Sequence, residues 1–277
     1  MEKLYSCRCS SCRELNNKTD QDFNLTDEEL NYILHLIFDR DFDTLNDIER
    51  TLFNHTRTFL DQAVDKAFEL TVEENKEFIE QLKYNNAVFA AFKTHRQQND
   101  LAALLIDEEG RPRSFDAFRK AAEPVIGAYN NTWLQTEYNA AVKSARTAEI
   151  FIRYQKDKDI YPNVKWLPSF SPDPRISHMV YYNQVRSVDD PWWKNHYPGC
   201  VWNCKCDSRA TKEAITHVGD SPVAESVPDT VSPGLDRNPA FSKAIFSDTH
   251  PYIAEADKTA KKAVKRFLEK ETENGTE

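Results

Sequence analysis

From Thr26 onward the apolar positions recur with helical spacing. Leu30, Ile33, Leu34, Ile37 and Phe38 share one face; after a polar break at 39–43 the repeat resumes at Leu45, Ile48, Leu52, Phe59, Leu60 and Val64. A period of about 3.6 residues places such positions on one side of a helix. Thr26-Asp27-Glu28-Glu29 reads as a capping box, with Thr26 as N-cap and Glu29 reaching back to it. Thr71-Val72-Glu73-Glu74 repeats the pattern ahead of Phe78, Ile79, Leu82, Val88, Phe89 and Phe92. Residues 107–112 read as a turn. Ser114 can cap a further helix, which Pro124 divides near its start. A long helix then follows from about Val125 to Tyr154, and its Ala140, Ala141, Ala145 and Ala148 imply close packing against a neighbour.

The helical period ends near residue 160. In 161–210 short apolar pieces alternate with prolines at 162, 168, 172, 174, 191 and 198. Val164–Leu167 reads as a strand, Ile176–Asn183 as a short helix carrying His178, Val185–Val188 as extended, and Cys200–Arg209 as a second strand or hairpin arm. Residues 211–237 read as a polar, proline-interrupted linker. Residues 238–277 read as a docking segment followed by an amphipathic helix over Ala254–Lys270 and a disordered end. Residues 1–21 form a polar tail. The expected fold is therefore α+β: a mostly helical region over 22–160, a small Trp/Cys-rich module over 161–210, and a C-terminal helix.

Composition narrows the functional classes. A net charge of -9 and a pI near 5.4 argue against a general nucleic-acid binder, which needs a basic face. Only 6 glycines occur, and neither GxGxxG nor GxxxxGK[ST] is present, so phosphate-cradling loops are not expected. The N-terminus has no apolar run for a secretory signal, and no stretch is apolar enough to span a membrane. A protein that is neither secreted nor membrane-bound is expected. Its 6 cysteines should then be reduced thiols or metal ligands rather than disulfides.

Two cysteine groups are candidates for Zn²⁺. Cys7, Cys9 and Cys12 form a CxCxxC, three soft ligands without an evident fourth; they can equally be inert tail thiols. Cys204 and Cys206, with His178, form a possible three-ligand set, and Cys200 is a candidate fourth. On a strand Cys204 and Cys206 would point to one face and could meet one ion. The competing reading has His178 hydrogen-bonded to a loop while the cysteines pack as small apolar groups. No catalytic or cofactor-binding residue is assigned, because no general base stands beside a defined nucleophile, and the expectation is a protein that is not an enzyme. The alternative is a metal-dependent hydrolase or nuclease using His178 with Asp173, Asp189 and Asp190. His35, His55 and His95 lie in the helical region without paired spacing and carry no assigned chemistry. The helix bearing Lys258, Lys261, Lys262, Lys265 and Arg266 could touch DNA or simply be a solvated face.

Four of the five tryptophans, Trp166, Trp192, Trp193 and Trp202, fall in the 166–206 stretch. The order of its elements is Trp166, Asp173 with Arg175, His178, Asp189-Asp190 with Trp193, Pro198, and Cys204-Lys205-Cys206. In this order the chain resembles the phage Mu F-like minor head protein family, whose pattern ends in Cys-Arg-Cys. Lys205 departs from that pattern, and Cys200 is an extra thiol. The resemblance is strong over about 45 residues, and it extends weakly to Thr136-Glu137-Tyr138, Asn238-Pro239 and His250-Pro251-Tyr252. It implies a phage or prophage minor capsid protein that acts in head morphogenesis near the portal. The implied partners are the portal and other head proteins, and the implied location is the virion or the host cytoplasm during assembly.

Overall fold

The computed structural model describes residues 1–5, 22–219 and 231–274. A single turn, α1 (Glu2–Tyr5), precedes the first long helix, α2 (Asp27–Phe38), which starts at a complete capping box. The Thr26 hydroxyl accepts from the Glu29 amide, and the Glu29 carboxylate accepts from the Thr26 amide. Helix α3 (Arg50–Phe68) begins at Glu49, whose carboxylate accepts from the amides of Thr51 and Leu52. The second expected capping box does not form. Thr71 donates its amide to Phe68 and so closes the end of α3, while α4 (Lys76–Ala103) starts after a 3₁₀ turn at Glu73–Asn75 without a side-chain cap.

Helix α4 is the axis of the helical part. Its buried residues, among them Ile79, Phe89, Ala90, Lys93 and Gln97, lie on several sides, and α2, α3, α5 (Phe115–Gly127) and the C-terminal helices pack around it. The expected helix over 125–154 is two helices. Pro124 lies inside α5, and a π-helical turn, Ala128–Trp133, leads into α6 (Leu134–Lys156). Extra residues inserted in this way relieve a register that cannot continue as a regular α-helix. The alanines Ala141, Ala145 and Ala148 are fully buried in α6, which packs against α3.

The α+β module lies against the C-terminal half of α6. Its sheet has strand order β2-β1-β3, with β1 (Asn163–Leu167) central and antiparallel to both β2 (Val185–Ser187) and β3 (Asp207–Thr211). The pairs Val164↔Arg186 and Trp166↔Ser208 set the register. Alternation places Val164 and Trp166 on the buried face. There they join Phe151 of α6, Tyr181, Trp192, Trp193 and Tyr197 in one core. Trp202 belongs elsewhere: it packs with Tyr5, Phe246 and His250 in the helical core, which ties the module to the rest of the chain.

Three expectations need revision at the ends of the chain and in the linker. Tyr5, expected in a detached tail, is buried against Trp202 and Trp133. The described flanks of the expected linker are attached: Thr216 donates its amide to Val185, Ser232 donates to Cys200, and Leu235 is buried. The last helix continues past Lys270. After α8 (Pro239–Ser242) and α9 (Pro251–Ala254), α10 runs Lys258–Asn274, and Glu271 pairs with Arg50 at 2.7 Å. Ala263, Val264, Phe267 and Leu268 pack on Phe53 and Ala91, while Lys258, Lys261, Lys262 and Lys265 stay exposed. Among the described residues, no helix is long and apolar enough to cross a membrane.

Candidate metal centre

His178 lies on α7 (Ile176–Met179), a single turn between β1 and β2. Arg175 holds the start of this turn in place by donating to the Trp202 carbonyl at 2.7 Å. The imidazole is buried edge-on to Trp166, with ring centres 5.7 Å apart and planes at 88°. Two thiols converge on its Nδ1: Cys204 Sγ at 3.6 Å and Cys206 Sγ at 3.5 Å. The Nδ1 and the two sulfurs all lie within 4.8 Å of one another.

The cysteines reach this point differently from the sequence expectation. Cys204 and Cys206 are not on a strand; they lie in the irregular segment just before β3. Asn203, in left-handed backbone with φ 62°, precedes them, a conformation Asn tolerates better than most residues. Cys200 lies at the opposite edge of the ring, its Sγ 3.9 Å from Nε2. It is therefore placed to partner the second ring nitrogen rather than to join the other two thiols. Cys7, Cys9 and Cys12 lie outside the described residues.

The electrostatics suit thiolate chemistry. The contact with Cys206, helped by His178, holds the Cys204 thiol well below its ordinary pKa despite burial. Cys206 is pushed up by the neighbouring Cys204 and by burial. Burial works against a charged His178, but Cys200 and Cys204 outweigh it and push the imidazole up to about 10. A cavity of about 20 Å³ adjoins the cluster and is lined by Ser169, Ser171, Asp173, Arg175 and Lys205 together with the ligand candidates.

The aspartates of the hydrolase alternative do not gather at His178. Asp190 is buried against Arg186 at 3.2 Å and caps the Pro191–Lys194 turn through the Trp192 amide at 2.9 Å. Asp189 is exposed and faces Lys158 at 3.3 Å. Asp173 lines the cavity, outside the His178–Cys204–Cys206 group. His35 pairs with Asp39, while His55 and His95 bond to the carbonyls of Phe23 and Leu45.

A second buried polar group was not legible in the sequence. Lys93 and Glu137, both fully buried, pair at 2.5 Å. Glu137 also accepts from the Tyr5 hydroxyl at 2.8 Å, and Tyr5 meets His250 Nε2 at 2.9 Å. His250 Nδ1 accepts from the Tyr252 amide, so the proton of the neutral ring sits on Nε2 and points at Tyr5. Glu137 and His250 fall in segments to which the family resemblance extends weakly, and Lys93 is a Lys inside an apolar run, but nothing in the sequence pairs them.

Against known proteins, the chain is 30% identical over 105 residues to "Putative capsid assembly protein F" of Escherichia phage Mu. The match covers 38% of this chain and 24% of the phage Mu protein, so the chain spans about a quarter of that relative's length. No family model matches the chain. No solved structure matches it.

Proposed function

We propose that this chain is a minor head protein of a phage or prophage, incorporated during capsid assembly at or near the portal. The observation that carries this reading is the similarity to the phage Mu protein described as acting in capsid assembly. The architecture is compatible with it: a helical body is joined to a small Trp-rich module through Trp202 and α6. The partners on this reading are the portal and other head proteins. DNA contact through the exposed lysines of α10 is a secondary part of it, because that face is free of the helix's own packing.

On the same reading the chain is not an enzyme. Asp189 faces Lys158 and Asp190 is paired with Arg186, which leaves Asp173 as the one of the three that shares a cavity with His178. A metal-dependent nuclease or hydrolase needs carboxylates that converge on its ion or its water. Deleting the gene from an inducible lysogen and counting DNA-filled heads by electron microscopy tests the proposal. A loss of at least tenfold in filled or infectious particles, restored by the intact gene, is expected. Unchanged yield, or metal-dependent DNA cleavage by the purified chain, would favour the alternative.

A further inference from the structure

We propose that His178, Cys204 and Cys206 bind one Zn²⁺ through the His Nδ1 and both thiolates, with a water molecule from the adjoining cavity as fourth ligand. The inference stands on side-chain geometry and is independent of the assembly reading.

Zn–S bonds of about 2.3 Å and a Zn–N bond of about 2.0–2.1 Å, set at tetrahedral angles, separate sulfur and nitrogen by about 3.6 Å. The two distances here are 3.6 and 3.5 Å. A hydrogen bond from one ring nitrogen serves one acceptor, whereas two sulfurs equidistant from that nitrogen surround a common point. Both sulfurs lie at the Nδ1 edge, and Cys200 lies at the Nε2 edge. The two ring nitrogens point in divergent directions, so an ion on Nδ1 is out of reach of Cys200. Cys200 instead meets the remaining ring N–H, the contact that fixes tautomer and orientation in His-bound metal sites.

The surroundings fit a thiolate ligand. The buried Trp166 indole N–H and the Tyr182 hydroxyl both lie beside Cys206. Donors turned toward a sulfur stabilise it as an anion. The adjoining cavity of about 20 Å³ has room for about one water. Three protein ligands with one solvent position is a recognised zinc arrangement. In this module, with its short strands and many prolines, such an ion clamps α7 to the segment entering β3.

The test uses the full-length chain with Cys7, Cys9 and Cys12 changed to Ser, so that thiols elsewhere cannot contribute metal. Purified without chelator or reconstituted with Zn²⁺, it should hold one Zn per chain by elemental analysis. Replacement by Co²⁺ should give a tetrahedral spectrum with charge-transfer intensity for two thiolates, and added azide should shift the visible bands by displacing the water. C204S, C206S and H178Q should each lose the ion. C200S should keep it, with affinity about 10–100-fold weaker. Failure of the chain to take up stoichiometric Zn²⁺ or Co²⁺ would overturn the site. A three-thiolate spectrum, or loss of the ion in C200S alone, would overturn the ligand assignment. Because the Co²⁺ spectrum is read on a chain with all three ligands intact, the test does not depend on the ligand variants folding.

Discussion

Four residues far apart in sequence, Tyr5, Lys93, Glu137 and His250, form one hydrogen-bonded line inside the helical core. Its parts are not interchangeable. Changing Lys93 to Met leaves the Glu137 carboxylate buried without its counter-charge, which should cost about 3–5 kcal/mol; urea titration of the variant gives the value. His250 is the acid-sensitive member. Burial, then the nearby Lys93 and the N-terminal amino group, lowers its pKa to about 3, and the Tyr5 hydroxyl and the Tyr252 ring also face it. The unfolded ring takes up a proton near pH 6.5 while the folded ring does not. Stability should therefore be fully present above about pH 6.5 and fall on acidification toward pH 3, by about 1.4 kcal/mol per pH unit for this one proton. His250→Asn should flatten that slope between pH 6 and 4; an unchanged slope would assign the acid sensitivity to other groups. At this scale the sequence was informative where chemistry is written in close spacing. Cys204, Cys206 and His178 could be grouped, and a helix-boundary residue such as Thr26 could be recognised. It was uninformative where a partner lies more than 40 residues away, as Lys93 does from Glu137. The side of the imidazole taken by Cys200 is likewise set by the path of the chain, not by spacing.

Among the elements, helices with a clear apolar stripe were the legible ones. The π turn at Ala128–Trp133, the absent cap at Thr71 and the displacement of β3 to Asp207–Thr211 were not. Thr71-Val72-Glu73-Glu74 shows why. It has the letters of a capping box, yet Thr71 is already committed to the end of α3, so tertiary position decides between two uses of the same residues. Two elements invite measurement. The turn Pro191–Lys194 carries Trp193, fully buried, with its indole N–H donated to the Ser187 carbonyl at 2.9 Å. Trp193→Ala should cost about 3–5 kcal/mol, and a urea midpoint shift equivalent to less than 1 kcal/mol would refute its role as the module's anchor. The α1 turn is the other. Tyr5→Phe keeps the ring contact with Trp202 but removes the bond to a buried carboxylate, and should cost about 1.5–3 kcal/mol. Removing residues 1–5 altogether should cost more, because the packing of Tyr5 and Leu4 on the helical core goes too. Equal melting temperatures for the three forms would return these residues to a detached tail.

The whole molecule joins a helical body and a small sheet module through Trp202, α6 and the returning C-terminal segment. The α+β class was legible because the period of the apolar positions changes near residue 160. The docking of 238–252 was legible from Phe246 and Tyr252, whereas the attachment of 231–237 was not, because its anchor Leu235 is an isolated apolar residue in a polar stretch. The acidic balance, a net charge of -9, suits protein partners better than a general grip on nucleic acid, and it leaves the exposed lysines of α10 as a local exception. On the proposed function, the most direct measurement is mass spectrometry of gradient-purified heads from a phage or induced prophage carrying the gene. The expected result is the chain present in procapsids and mature heads, at a few copies for each portal and far below the major shell protein. Heads that assemble normally and contain none of it at either stage would contradict a place for this protein in the capsid.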